Sequence, residues 1–169
     1  MTIFLVGMPG CGKSTIGKML SEKLDLPYFD TDEIISRMEG DTIPKIFENF
    51  GEPYFRLKEE ELIKNWKLHN AVISTGGGLP CYNNLMQILL SKGHVIWLKV
   101  SAEILSERIM SEPNQRPLFA DKTKQETIKT IKKMLVDRKD FYQQAPIRVL
   151  NDGNLEDVVK KIIVKLYSL

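Results

Sequence analysis

The sequence is poor in the residues that bind transition metals or build disulfide frameworks. Its 169 residues include only two cysteines, Cys11 and Cys81, and two histidines, His69 and His94. Two cysteines cannot supply the several disulfides of a small secreted scaffold, and neither histidine has a second nitrogen or sulfur ligand nearby in sequence. We therefore expect no zinc site built from histidine and cysteine, and a protein of the reducing cytoplasm.

An excess of one charge and a long apolar run are also lacking. The chain has 24 lysine and arginine residues against 22 acidic ones, a net charge of +2. This balance argues against a nucleic-acid partner and against a disordered, highly charged chain. No segment approaches the roughly 20 apolar residues that cross a bilayer, and the apolar start of the chain is too short for a signal peptide. We expect one globular domain over 1–169, without a membrane partner.

Short apolar runs alternate with longer amphipathic stretches along the chain. We predict strands at 3–6, 27–29, 71–74, 95–98 and 147–150, and helices at 13–24, 54–69, 82–91, 102–110, 123–144 and 155–166. This alternation is typical of an α/β fold, and we predict a five-stranded parallel sheet flanked by helices on both faces. The polar segment 111–124 carries two prolines, and we predict a mobile lid there.

The first predicted strand leads into a complete phosphate-binding motif. Residues 7–14 spell Gly-Met-Pro-Gly-Cys-Gly-Lys-Ser, which matches the P-loop pattern G-x-x-x-x-G-K-[ST]. Its glycines let backbone N–H groups surround phosphate oxygens at the start of a helix. Lys13 supplies a positive charge for the β and γ phosphates, and Ser14 a hydroxyl for Mg²⁺. The pattern predicts ATP bound with one Mg²⁺ ion; the alternative is an incidental glycine-rich turn.

Two acidic residues close the second predicted strand. Asp30-Thr31-Asp32 lies where the carboxyl ends of parallel strands border the ligand crevice. One carboxylate can anchor Mg²⁺ through water while the other holds and deprotonates an acceptor hydroxyl. The alternative is that Asp32 merely caps a helix over 33–38.

Three further features of the sequence narrow the class of reaction: the lack of a guanine-binding motif, a run of glycines and the positions of the arginines. The chain has no Asn-Lys-x-Asp motif for reading guanine, and its strand at 71–74 runs into Gly76-Gly77-Gly78. Six of the basic residues are arginines, and Arg116 lies in the predicted lid. Arginine forks grip carboxylates and phosphates bidentately, although any one of them could instead form a surface salt bridge. Small size and a lid favour a kinase that acts on a small molecule.

Taken in order, these blocks resemble the shikimate kinase family over most of the chain. The resemblance rests on residues 7–15, 29–32, 46–47, 51–52, 55–56, 59, 74–78, 116–118, 138, 142 and 145. It implies a P-loop kinase fold and transfer of the γ-phosphate of ATP to the 3-hydroxyl of shikimate, a step towards the aromatic amino acids.

The same resemblance implies a role for each site residue. Catalysis would involve Asp32 as the base, with Lys13 and Arg116 stabilising the phosphoryl charge. ATP would contact Gly10, Cys11, Gly12, Lys13, Ser14, Thr15, Arg108 and Arg116. Shikimate would contact Asp32, Arg56, Gly76, Gly77, Gly78, Arg138, Phe47 and Phe55, mostly from a substrate-binding segment at about 31–60. The metal would be held by Ser14, with Asp30 and Ser74 acting through water. Pro9 and Pro117 would join the two phenylalanines in forming the apolar walls of the site. Phe47 and Phe55 could alternatively be plain core residues.

The chain departs from the family pattern at two places. Asp140 stands where the family often has proline after the second substrate arginine, and the loop 151–154 lacks an arginine that some members place against adenine. The alternatives are a related kinase, for example of gluconate, a nucleoside monophosphate kinase, or a nucleotide-binding relative without catalysis. A monomer is the default expectation.

Overall fold

A twisted parallel sheet forms the centre of the protein. The computed structural model describes residues 1–111, 119 and 122–168. Five strands pair in the order β2-β3-β1-β4-β5, and every pairing is parallel. The strands are β1 Ile3–Val6, β2 Tyr28–Asp30, β3 Val72–Ser74, β4 His94–Lys99 and β5 Ile147–Leu150. The predicted five-stranded parallel sheet is confirmed.

Seven α-helices are found among the described residues. They are α1 Lys13–Leu24, α2 Thr31–Glu39, α3 Ile43–Lys64, α4 Leu85–Lys92, α5 Ala102–Met110, α6 Lys124–Tyr142 and α7 Leu155–Leu166. No helix in the described part of the chain is long and apolar enough to cross a membrane. Every residue of β1 and β3 is buried, so the helices cover both faces of the central sheet.

Helix α3 begins earlier than the predicted start at residue 54. A proline lies in its first turn, where the missing N–H costs nothing. Gly51 then interrupts the helix with φ 78° and ψ 171°, a conformation that is essentially restricted to glycine. The element is therefore two helical stretches joined by a kink, and Glu52 is the first residue after that kink.

The start of α2 corrects one alternative from the sequence. Asp30, not Asp32, caps this helix, because its Oδ1 accepts a hydrogen bond from the Asp32 amide at 3.0 Å. Asp32 lies in the first turn, so its carboxylate is not needed to satisfy the helix end. At α7 the cap is Asn154, whose Oδ1 accepts from the amides of Glu156 and Asp157.

Two apolar clusters of unequal size stabilise the fold. The large one joins the sheet to the surrounding helices, and all of β1 lies within it. The small one contains the buried residues Ile35, Ile46 and Phe55 of α2 and α3. The segment predicted to bind substrate therefore has a small core of its own, beside the main one.

Three strands deliver polar residues to one edge of the sheet. The P-loop follows β1, Asp30 ends β2 and Ser74 ends β3, and the register pairs Asp30 with Ser74. Ligand crevices of open α/β sheets lie at this edge. Most of the predicted lid at 111–124, including Arg116 and Pro117, lies outside the described residues.

Candidate active site

The P-loop forms a tight turn between β1 and α1. Gly12 caps α1 in the left-handed region, at φ 88°, which a side chain would disfavour. A Cβ on Gly12 would also lie 2.6 Å from Asn151 Nδ2. The loop thus brings the N–H groups at the start of α1 into the crevice, where they suit an anion.

Lys13 extends across the same loop. Its Nζ donates to the carbonyl oxygens of Gly7 at 2.9 Å and Met8 at 3.0 Å. The ammonium is held by neutral backbone groups rather than by a carboxylate, so its charge is not cancelled by an acid there. This arrangement leaves the charge available to a phosphate group.

A crevice of about 730 Å³ opens beside this lysine. Its walls include six of the predicted ATP-binding residues, namely Gly10, Gly12, Lys13, Ser14, Thr15 and Arg108, together with Asp30 and Asp32. Cys11 is fully buried and is not among the residues that line the crevice, so its predicted contact with ATP stays a prediction. Arg116 lies outside the described residues.

Asn151 is a site residue that sequence reasoning missed. Its buried side chain donates from Nδ2 to the Cys11 carbonyl at 2.8 Å, and its own carbonyl accepts from Arg108 Nη2 at 2.9 Å. It therefore ties the P-loop to Arg108, which we predict to contact ATP. Nothing in the surrounding sequence distinguishes this asparagine from an ordinary loop residue.

Oxygen donors cluster at the phosphate end of the crevice. Ser14 Oγ donates to Asp30 Oδ2 at 3.0 Å, and the Tyr28 hydroxyl donates to the same oxygen at 3.2 Å. Burial raises the pKa of Tyr28 to about 12, so this phenol remains a donor at neutral pH. Such a set fits Mg²⁺, which takes oxygen ligands and keeps several waters. Within the described residues there is no cluster of three or more carboxylate, histidine and cysteine ligands.

Two carboxylates flank Gly76, just after β3. The Gly76 amide donates to Thr31 Oγ1 at 2.9 Å. A Cβ on this glycine would lie 2.7 Å from both Asp32 Oδ1 and Glu59 Oε1, so only glycine fits. The predicted base therefore lies against the predicted glycine segment, and it also lines the crevice.

Arg56 of α3 packs against Gly78, two residues after Gly76. A Cβ on Gly78 would be 2.6 Å from its Nη2, and its guanidinium lies 4.3 Å from the centre of the Tyr82 ring. Arg56 Nη1 donates to Glu59 Oε2 at 2.6 Å, while Nε and Nη2 donate to Glu52 Oε1 at 3.0 and 2.7 Å. The structure thus places Asp32 against Gly76 and Arg56 against Gly78, and Arg56 is already paired with two acids.

Glu59, the buried glutamate paired with Arg56, has a raised pKa. Burial raises the pKa of Glu59 to about 7, although the charge and hydrogen bond of Arg56 oppose the rise. Burial lowers the pKa of Arg56, but the two glutamates more than offset this and hold it above its ordinary value. The arginine therefore stays charged at any pH of interest, whereas Glu59 is close to its titration point.

Arg138 reaches the same end of the site from α6. Its Nη1 is buried and makes no hydrogen bond to the described residues. One turn later, the Tyr142 hydroxyl donates to the Gly77 carbonyl at 2.6 Å and so fixes the glycine segment against α6. Burial raises the pKa of Tyr142, which keeps this donor protonated. The charge of Arg138 contributes to lowering the pKa of Glu52, and its role at the substrate carboxylate stays a prediction.

The two predicted wall phenylalanines lie in contact. Their ring centres are 4.7 Å apart. Phe55 belongs to the small core with Ile35 and Ile46, whereas Phe47 is only half-buried and packs on that core. The core alternative describes Phe55, and a role for Phe47 in lining the substrate pocket stays a prediction.

Comparisons with known proteins agree with this geometry. The family model "SKI: Shikimate kinase" matches residues 9–167. A shikimate kinase of Azobacteroides pseudotrichonymphae is 38% identical, over 97% of this chain and 98% of the relative. Among solved structures, the shikimate kinase of Bacteroides thetaiotaomicron is 31% identical with a TM-score of 0.89, covering 100% of this chain and 99% of its own. That of Acinetobacter baumannii, in complex with shikimate, is 31% identical with a TM-score of 0.87, over 99% and 93%. The chain belongs to the shikimate kinase family.

Proposed function

We propose that this protein transfers the γ-phosphate of ATP to the 3-hydroxyl of shikimate, giving shikimate 3-phosphate and ADP. One observation carries the proposal beyond family membership. A carboxylate, Asp32, and a guanidinium, Arg56, pack against neighbouring glycines within one short segment that borders the P-loop crevice. Shikimate offers hydroxyls to the first and a carboxylate to the second.

Asp32 acts as the base at the acceptor end. It accepts the proton of the 3-hydroxyl as the oxygen forms its bond to the γ-phosphorus, and the bond from that phosphorus to the β,γ-bridging oxygen breaks. Arg56 and Arg138 hold the substrate carboxylate, so the hydroxyl is oriented before the reaction begins. The backbone of Gly76, Gly77 and Gly78 forms the surface on which the ring lies.

The P-loop residues act at the phosphate end. Lys13 binds the β and γ phosphates, and Arg116, which lies outside the described residues, would add a second positive charge to the phosphoryl group. Ser14 would hold Mg²⁺, with Asp30 and Ser74 helping through water, and the ion would supply positive charge to the phosphates. Arg108 lies on the adenine side, supported by Asn151. We place this activity in a cytoplasmic monomer that folds as one domain.

The test compares acceptors. ADP release with MgATP is measured with shikimate, gluconate, a nucleoside monophosphate and no acceptor. Fast release with shikimate alone supports the proposal. Release with gluconate keeps the phosphoryl chemistry but removes the carboxylate clamp, and tight ATP binding without release favours a non-catalytic relative.

The base is tested by Asp32→Asn. Because the amide is isosteric but cannot take the proton, turnover is lost while ATP binding stays nearly intact. Asp41→Asn is the matched control, since Asp41 follows α2 and pairs with Lys45 at 3.5 Å on the surface. Near-normal turnover of the Asp32 variant would exclude this residue as the base.

A further inference from the structure

Arg56 is already occupied on two edges by carboxylates of its own chain. Its Nη1 bonds Glu59 at 2.6 Å, and its outer edge, formed by Nε and Nη2, bonds one oxygen of Glu52. The proposed function requires this arginine to bind the carboxylate of the substrate. A carboxylate that binds the Nε–Nη2 edge must displace Glu52, because that edge is already bonded and two carboxylates at such a distance repel each other.

The two acids differ in how easily they leave. The Glu59 side chain is 0% exposed, so water could not replace Arg56 as its hydrogen-bond partner if the arginine turned away. The Glu52 side chain is 49% exposed, so water can replace the arginine as its partner. The Arg56 side chain is only 12% exposed, so of the two partners it is Glu52 that can move into water. Glu52 is therefore the acid that an incoming carboxylate displaces.

Glu52 is held in a way that resembles a bound ligand. Its Oε1 accepts from Arg56 at 3.0 and 2.7 Å and from the Tyr82 hydroxyl at 3.0 Å. The hydrogen bond from Arg56 foremost, and also the charge of Arg138, lower the pKa of this carboxyl. One carboxylate oxygen thus receives three donors and feels both arginines that we assign to the substrate carboxylate.

We propose that Glu52 is an internal competitor for the substrate carboxylate: it occupies the outer edge of Arg56 in the empty site and swings into solvent when substrate binds. This inference rests on the proposed function, in which Arg56 clamps the substrate. The competition keeps the guanidinium paired between turnovers. An incoming anion must also bind Arg56 strongly enough to displace Glu52. This requirement disfavours acceptors that lack a well-placed carboxylate.

The position of Glu52 in the chain suits this movement. It follows the kink at Gly51 and begins the second stretch of α3, so its side chain leaves the helix at a free end. Arg56 lies one turn later on the same stretch, and the two separate by side-chain rotation alone. No backbone change is required, and Glu59 keeps Arg56 in place throughout.

Glu52→Gln tests the competition. The amide oxygen still accepts from Arg56 and Tyr82, but the negative charge is gone. We expect the KM for shikimate to fall about two- to fivefold, with kcat and the KM for ATP within about twofold of the parent. Glu61→Gln is the matched control: Glu61 is 51% exposed on the same helix and pairs with Lys58 instead. An unchanged or higher KM for shikimate in Glu52→Gln would overturn the proposal.

A second variant separates competition from orientation. Glu52→Ala removes both the charge and the acceptor, so a competitor predicts a lower KM here too, whereas an orienting residue predicts a higher one. Calorimetric binding of shikimate without ATP supplies a readout independent of turnover. If the parent protein binds and phosphorylates shikimate but neither variant binds it more tightly, the competition alone is wrong. If the parent protein does not bind shikimate, the proposed function fails and the competition with it.

Discussion

The two ends of the crevice are stabilised by different kinds of interaction. At the phosphate end, Lys13 is held by backbone carbonyls. The binding surface there is the N-terminal turn of α1, a helix that packs in the main core. At the acceptor end, Arg56 is held by two acidic side chains, on a segment that has only a small core of its own. Backbone fixes one end and a charged side-chain network fixes the other.

The difference follows from what each end recognises. A phosphate chain is the same in every turnover, and rigid N–H groups that need no rearrangement suit it. A hydroxylated carboxylate must be distinguished from other small anions, and buried or paired charges provide that discrimination at the expense of stability. We therefore expect substitutions at the phosphate end to lower the rate, and substitutions at the acceptor end to alter pH dependence and substrate affinity.

Lys13→Ala should give the largest effect and sharpen this contrast. Loss of one preorganised charge at the phosphate end should lower kcat about 100- to 1,000-fold. Stability should change little, because Nζ contacts the carbonyls of its own loop. Steady-state kinetics and urea denaturation measure the two effects, with Lys23→Ala as a control in the last turn of the same helix. Loss of folding in proportion to activity would contradict the assigned role.

Glu59→Gln tests the buried charge at the acceptor end. The pKa of Glu59 lies at about 7 against 4.5 for the ordinary side chain, so between these pH values the folded protein holds a proton that the unfolded chain has lost. The unfolding free energy of the parent protein should therefore fall as pH rises from 4.5 to 7, by at most about 3 kcal/mol from this group.

The variant isolates this contribution because its amide does not titrate. The difference in unfolding free energy, parent minus Glu59→Gln, should become less favourable by about 3 kcal/mol over that range. The difference for the half-exposed Glu61→Gln should show no comparable slope. A parent-minus-variant difference that is flat with pH would show that Glu59 is charged throughout.

These contrasts also explain what the sequence could predict. The P-loop and the parallel sheet are local: the glycine pattern, Lys13 and the apolar runs lie within short windows, and the structure confirms the sheet. The acceptor end depends on residues brought together from α2, α3 and α6. Helical spacing pairs Glu52 and Glu59 with Arg56 within α3, but it does not bring Asp32 of α2 or Arg138 of α6 to the same end. Asn151 was missed for the same reason, since its partner at Cys11 is 140 residues away. Asp30 and not Asp32 caps α2 because the helix begins at Thr31, two residues before the start at 33 that the alternative assumed, and this shift decides which side chain meets the first amides.

Gly51→Ala should cost about 1–3 kcal/mol of stability, because φ 78° with ψ 171° is a region that alanine avoids. Crowding is not the cause, since a Cβ there would meet only Pro53 Cδ at 3.6 Å. The kink sets the position of Glu52 and Arg56, so the KM for shikimate should change while the KM for ATP stays within about twofold. Urea denaturation and steady-state kinetics measure this against Gly153→Ala, where a Cβ meets nothing within 4 Å. Equal changes in the KM for shikimate and the KM for ATP would contradict the proposed independence of the acceptor end from the phosphate end.

Asn151→Ala should have the smallest effect, and it challenges the contrast directly, because here a side chain supports the phosphate end. The substitution leaves the buried Cys11 carbonyl without the donor that now lies at 2.8 Å, at a cost of about 1 kcal/mol. The loosened loop should raise the KM for ATP about two- to threefold and leave that for shikimate unchanged, with the exposed Asn49→Ala as control. If the KM for shikimate rises instead, Asn151 acts through the glycine segment after β3, and the two ends are coupled more closely than their separate supports indicate.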